Sequence, residues 1–411
     1  MTSEIGVSPA AADGRDVSQA PRILVVRPDN LGDVILFSGA FKLLRRRFGA
    51  MRICVVARRY AFNFLETNPA IDELIPWEDY AASSDARWLL RLRGGWRAYQ
   101  WLRRRKLKHR AKSLSSDLVL FPVRFVVGGP DSMHDLVGAI PAARRYGIGG
   151  DRSLQCAQDD QKAANHYTAR IGFSEAEHSE HAIATTRRFL ALLGIDAKED
   201  ELWPDIYLAN DDRRKAAEMA PTPDGSLSVA LFAGVTSNAG KFLPGDFYAS
   251  ALRALGSERF SVSVFGSPDE NQQCQQVYEA LRSAPNVGRV RNLTGTTTAR
   301  ETAAALPLFD LVIAQETAAV HLATALRIPS ICILGGGHFG LFYPWGDPAI
   351  NRVVARRMSC YGCNWRCPFD SMKCIQDIAS STLAAEIRLL VESLRSRRGE
   401  PSLARQRKLL L

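Results

Sequence analysis

No stretch of this sequence approaches the roughly 18–20 unbroken apolar residues that a membrane-spanning helix needs. Residues 1–20 have neither a basic start nor an apolar block. They are rich in Ala, Ser, Gly and Asp, which reads as a disordered polar tail and not as a signal peptide. A cytoplasmic location is the expectation that follows. Zinc-finger, helix-turn-helix and RNP patterns are also missing, which makes nucleic acid an unfavoured partner despite the charge. Acids are scarce relative to bases, 43 Asp and Glu against 53 Lys and Arg, for a formal net charge of +10. The deficit is local. Residues 87–112 hold eleven Lys or Arg and no acid, and the chain from Arg395 to Lys408 is basic again. Such a balance favours anionic partners, among them anionic lipid and phosphorylated glycolipid. Four of the eight cysteines, Cys54, Cys156, Cys274 and Cys332, are scattered and read as ordinary small residues.

At 411 residues the chain is too long for one ordinary core, and two α/β domains are expected. Apolar runs at 22–27, 52–57 and 117–121 alternate with helical patterns at 34–48 and 180–194. A second series has strands at 227–233, 260–265, 310–314 and 330–334. Strand–helix–strand order implies parallel sheets, and hence two doubly wound Rossmann-like domains facing a cleft. A proline-containing, polar stretch between Trp203 and Asp224 separates the series. The expected division is a tail at 1–20, domains at 21–215 and 216–395, and a basic tail at 396–411.

Ligands of open parallel sheets bind beyond the carboxyl ends of the strands, where the chemistry-bearing loops of this chain fall. The first loop reads Arg27-Pro-Asp29-Asn-Leu-Gly32-Asp33. There Gly32 would permit a tight turn, and Asp33 by itself reads as a helix N-cap. The loop from Gly234 to Phe242 has five residues between Gly234 and Gly240 and lacks Ser or Thr after Lys241, so it is not a P-loop. Its backbone N–H groups and Lys241 can still hold a diphosphate, or the loop is a surface turn. Glu316-Thr317-Ala318-Ala319-Val320-His321 opens a helix after a buried strand, a place where N–H groups suit phosphate, or where a capped helix simply begins.

Taken together, these pieces resemble glycosyltransferase family 9, the ADP-heptose:lipopolysaccharide heptosyltransferases. Arg27-x-Asp29-x-x-Gly32-Asp33 resembles the family's opening, and Arg145-Tyr146-Gly147 its Arg-x-Gly turn. Gly240-Lys241-Phe242-Leu-Pro244 is similar to its Lys-Trp-Pro element. Gly295, the helix at 298–306 and Glu316-Thr317-x-x-x-His321 through Pro329 resemble its strongest C-terminal motif. The chain differs at Glu316, where the family usually has Asp, and at Ala318, where it usually has Gly. The resemblance implies a GT-B fold and inversion at the anomeric carbon without a catalytic cofactor. Asp33 would be the general base, acting on a lipid-linked saccharide acceptor such as lipopolysaccharide core. Thr236 and Lys241 would hold the diphosphate of an ADP-sugar, and Glu270 its ribose. Glu316, Thr317, Ala318 and Ala319 would grip phosphates and sugar, with His321 beside them. Another nucleotide sugar, another acceptor, or a non-catalytic nucleic-acid-binding or scaffold protein are the alternative readings.

Two features remain. Cys360-x2-Cys363-x3-Cys367-x6-Cys374 is dense enough for a structural zinc or iron, or for reduced thiols or a disulfide pair. The segment 87–112 interleaves Trp88, Trp96, Tyr99 and Trp101 with its basic residues. As an interfacial helix it would place the aromatics at headgroup level and Arg103, Arg104, Arg105 and Lys106 on phosphates, making the protein peripheral on the inner face of the cytoplasmic membrane. As an ordinary amphipathic helix it would turn its tryptophans to the core.

Overall fold

A computed structural model describes residues 21–80, 95–124, 133–149, 164–174, 177, 179–221, 224–236 and 239–397. The first parallel sheet contains β1 (Arg22–Val26), β2 (Arg52–Ala57), β3 (Glu73–Pro76), β4 (Ser116–Phe121), β5 (Ala142–Ile148) and β6 (Ala169–Ile171). Its order is β3-β2-β1-β4-β5-β6. The second contains β7 (Leu227–Phe232), β8 (Phe260–Phe265), β9 (Val287–Asn292), β10 (Leu311–Gln315), β11 (Ser330–Ile333) and β12 (Asn351–Val354), in the order β12-β11-β10-β7-β8-β9. β1 and β7 start their sheets, and the chain winds outward from each in one direction before returning to lay β4 and β10 on the other side. Each sheet therefore has a switch point, between β1 and β4 and between β7 and β10, where a crevice opens at the strand ends.

Most of the interior strands are predominantly apolar because helices cover both faces. Ile23, Leu24, Val25 and Val26 of β1 are wholly buried. The four edge strands do not read this way. β9, for example, is Val-Gly-Arg-Val-Arg-Asn with only Val287 buried.

Several expectations need correction. The first helix spans Leu31–Phe48 and begins before residue 34. Arg145-Tyr146-Gly147 is not a turn but part of β5. Gly147 is needed there because a Cβ would lie 2.4 Å from the Tyr167 ring. Arg145 donates to the carbonyls of Val137 and Ile140, so it ties down the preceding helix.

The halves are joined by more than the chain. Trp203 Nε1 donates to the Ala325 carbonyl at 2.8 Å. Arg300, on the Ala299–Ala305 helix, donates to Glu66 and Asp212, each at 2.6 Å, and to the Asn63 carbonyl at 3.1 Å. One hydrophobic cluster runs without a break from Ile23 and Phe37 of the first half to Val312 and Val320 of the second. Among the described residues, no helix is long and apolar enough to cross a membrane.

Candidate functional site

β1 delivers Arg27, Asp29 and Asp33 to its carboxyl end. Asn30, not Asp33, is the N-cap of the Leu31–Phe48 helix. Asp33 stands in the first turn and its carboxylate receives the Asn30 N–H. Arg27 is buried, pairs with Asp29 at 3.0 Å and donates to the Asp33 carbonyl at 2.8 Å. Its guanidinium lies 4.8 Å from the Phe37 ring centre, and its Nε has no partner. Asp33 keeps a partly open edge, but protein encloses its carboxyl. Burial, and then the charge of Asp29, push it up to about 7, against the pull of Arg27 and backbone N–H groups. Burial also raises Asp29, opposed by Arg27 and Arg58.

The second sheet supplies the facing groups. Glu316 follows β10, and burial raises it to about 7, with Lys241 pulling down and Asp33 pushing up. The charge of Asp33 is felt at Glu316, so carboxyls carried by the two sheets lie near one another. Glu316 Oε1 is buried without a hydrogen-bond partner, an uncompensated acceptor that a ligand hydroxyl can satisfy. Thr317 is the N-cap of the Ala318–Ala325 helix and makes no side-chain capping bond. The N–H groups of that first turn, at half-buried Ala318 and buried Ala319, are thus not claimed by its hydroxyl. His321 is buried and held at Nδ1 by Trp345 Nε1 at 3.0 Å. Gly32 allows it in, since a Cβ there would lie 3.0 Å from His321 Cδ2. The role of Gly32 is this close approach of the two halves, inside a helix and not in a tight turn.

Lys241 ends a short 3-10 segment, Ala239–Lys241, and its ammonium sits 3.5 Å from the Trp365 ring centre. Burial lowers its pKa, partly offset by Glu316 and Cys374. Trp365 is anchored by donation from Nε1 to His338 Nδ1 at 3.1 Å. Glu270 lies against Gly234 of the Lys241 loop, with its carboxylate accepting from Ser267 N–H at 2.7 Å. Thr236 is exposed on that loop, and Ser237 and Asn238 lie outside the described residues. The fold thus gathers Asp33, Lys241, Glu316, Thr317, Ala318, Ala319 and His321, and sets Glu270 against the loop that carries Thr236 and Lys241. Asp29, Trp345 and Trp365 were missed. Asp29 was legible only as part of the motif. Neither tryptophan carries a local signal, since each acts through a contact distant in sequence.

The four clustered cysteines do not fit a metal. Burial raises the Cys363 thiol, with smaller effects from Cys360, Cys367 and Cys374, so the four are neighbours. All are free, however, and among the described residues no three His, Cys, Asp or Glu side chains converge as ligands would. Cys367 bonds to the Ser371 carbonyl at 3.3 Å, and Cys374 accepts from Gly336 N–H at 3.4 Å. The loop is held by those contacts and by Trp365.

The basic helix spans Gly95–Ala111. Residues 81–94, including Trp88, and the side chains of Trp96, Arg103 and Arg104 lie outside the described residues. Tyr99 is buried, which corrects its expected place at a membrane surface. Trp101 is 60% exposed, with the Arg105 guanidinium 5.5 Å from its ring centre, and Arg105 and Lys106 are exposed.

Comparison with known proteins bears on the fold and the family. The sequence model of glycosyltransferase family 9 (heptosyltransferase) matches residues 146–366, more than half of the chain. The chain belongs to glycosyltransferase family 9. It is 26% identical to lipooligosaccharide heptosyltransferase 2 of Campylobacter jejuni over 136 residues, 33% of this chain and 42% of that one. The match thus spans less than half the length of that relative. To lipopolysaccharide heptosyltransferase 2 of Escherichia coli it is 20% identical over 321 residues, 76% and 82% of the two chains. Among solved structures, a family 9 glycosyl transferase from Veillonella parvula superposes with a TM-score of 0.61 at 19% identity, covering 90% of this chain and 97% of the other. The E. coli ADP-heptose heptosyltransferase II gives 0.61 at 18% identity, covering 91% and 99%. The family 9 chain has the GT-B fold of these neighbours, two Rossmann-like domains facing a cleft.

Proposed function

We propose that this family 9 chain is an inverting glycosyltransferase, moving a heptose or related sugar from an ADP-sugar to a lipid-linked saccharide such as lipopolysaccharide core. The observation that carries the reading is the meeting of Asp33, raised to about 7, with Lys241, Glu316 and a helix N-terminus across the cleft. In support, an E. coli heptosyltransferase crystallised with ADP-2-deoxy-2-fluoro heptose has a TM-score of 0.54 at 15% identity, covering 91% of this chain and 99% of that one. On this reading residues 21–215 hold the acceptor and 216–395 the nucleotide sugar.

Asp33 takes the proton of the acceptor hydroxyl as its oxygen bonds to the anomeric carbon. On the opposite face the bond from that carbon to the diphosphate breaks, and the electron pair leaves on ADP. Lys241 and the N–H groups of Ala318 and Ala319 stabilise the departing charge, so the step draws on protein groups alone. Thr236 assists at the diphosphate and Glu270 at the ribose. Glu316, neutral or shared with Lys241, directs its unpaired oxygen to a sugar hydroxyl.

Calorimetry with ADP, UDP and GDP tests the donor. ADP is expected to bind most tightly. Equal affinity for all three would remove the assignment of the base, and no binding would remove the donor site.

A further inference from the structure

We infer that Trp345 is a positioning residue that fixes His321 as the Nε2–H tautomer, a neutral donor facing the cleft opposite Gly32 and placed for an anionic oxygen of the bound ligand. An indole N–H can only donate. Trp345 Nε1 lies 3.0 Å from His321 Nδ1, so Nδ1 must accept and carries no proton. A neutral imidazole has one proton to place, and it falls on Nε2. The two rings lie within 16° of parallel, with centroids 6.2 Å apart. The edge-on Tyr343 ring, 6.1 Å away, closes another side.

The imidazole stays neutral because it is buried and, among the described residues, no carboxylate contributes to its shift. Burial pushes it down to about 3. The titratable neighbour acting on it is His181, which is itself committed: its Nδ1 accepts from Ile183 N–H at 3.2 Å, leaving its Nε2 proton for the Phe342 carbonyl at 3.0 Å. Trp345 is fixed in turn. Its ring meets the Trp203 ring edge-on at 5.3 Å, and Trp203 is held by the Ala325 carbonyl.

The direction of the free N–H follows from Gly32. A Cβ on Gly32 would lie 3.0 Å from His321 Cδ2 and 3.5 Å from Nε2, so that edge of the ring faces the first turn of the helix bearing Asp33. A neutral donor at this point can bond to a phosphate or developing oxyanion and has no second proton to lose. The tautomer follows from geometry alone, whereas its use in transfer rests on the function proposed above.

The test is nitrogen NMR of the full chain with 15N-labelled histidine, His321 being assigned by the loss of its signals in H321Q. At neutral pH the expected signature is a pyridine-like Nδ1 and a pyrrole-like, protonated Nε2. Added ADP should shift Nε2 without changing the tautomer. An imidazolium signature or a protonated Nδ1 overturns the proposal. So does an unmoved Nε2 when calorimetry shows that ADP has bound. Failure of ADP to bind would instead count against the donor reading, while the tautomer is still decided by the ligand-free spectrum. In folded W345F both tautomers should appear, and an unchanged Nε2–H population would remove Trp345 from the role. If W345F does not fold, the wild-type indole decides. A Trp345 N–H that exchanges with solvent as fast as an exposed one overturns the proposal.

Discussion

At the scale of single residues, Asp33 and Glu316 face the same conflict from opposite domains. Each is a carboxyl in an enclosed site, and each is raised to about 7 with burial as the largest cause. A helix N-terminus alone would hold Asp33 ionised and weakly basic. Enclosure reverses that balance and brings its basicity close to what proton transfer at neutral pH requires. D33A is expected to lose about 10²–10⁴ in turnover while keeping ADP affinity near wild type. A single-turnover assay beside calorimetry checks this, and a residual rate above a tenth of wild type would exclude Asp33 as base. The wild-type rate should climb as pH rises to about 7 and level off beyond it, as Asp33 ionises. Stability should move the other way. The folded form holds the Asp33 proton up to about 7 and the unfolded chain releases it near 3.8, so native stability falls as pH rises between those values. D33N, which cannot ionise, should match wild type below pH about 4 and gain on it steadily up to about 7. Urea titrations at a series of pH values would show it, and a constant difference would refute it.

At the scale of elements, the Leu31–Phe48 and Ala318–Ala325 helices meet at Gly32 and His321. His321 is held by Trp345 and Tyr343 and has little room to retreat. G32A should therefore destabilise the fold by roughly 1–3 kcal/mol, the usual cost of overpacking, with a lower melting temperature as the readout. A neutral effect would mean that the ring can shift. The Ala239–Lys241 segment offers a second case. Removing the ammonium in K241A should weaken ADP binding by about 1.5–3 kcal/mol, because a charge-assisted contact is lost. Unchanged affinity by calorimetry would move the phosphate site elsewhere. Elements also show where the sequence was readable. β1, β2, β4, β7, β8, β10 and β11 lie inside their sheets and announce themselves as apolar runs. The edges β3, β6, β9 and β12, and Arg-rich β5 beside one edge, are not covered on every side and have no such run. The site divides in the same manner. Asp33, Lys241 and Glu316 stand at ends of legible strands. Trp345 and Trp365 become visible only when the chain folds them onto His321 and Lys241.

At the scale of the whole molecule, the lipid-linked acceptor proposed above would require a surface that can approach a bilayer. The Gly95–Ala111 helix exposes Trp101, Arg105 and Lys106 while burying Tyr99, Leu107 and Ala111. Each basic residue near an anionic surface contributes about 1 kcal/mol before salt screening. Sedimentation with vesicles should show binding that grows with anionic lipid, falls with salt, and drops when Arg103, Arg104, Arg105 and Lys106 are neutralised together. Binding indifferent to lipid charge would take the membrane role away from this helix.

The unbroken apolar cluster from Ile23 through Val320 has a consequence for how the molecule can be taken apart. Two sheets that each look self-sufficient share one greasy seam, so a polypeptide cut in the crossing stretch near Trp203 would yield two halves with sticky faces. Produced separately, they would clump; produced in the same cell, each would shield the other and rebuild the cleft. The same seam governs motion. The halves cannot drift apart without exposing that shared apolar interior to water.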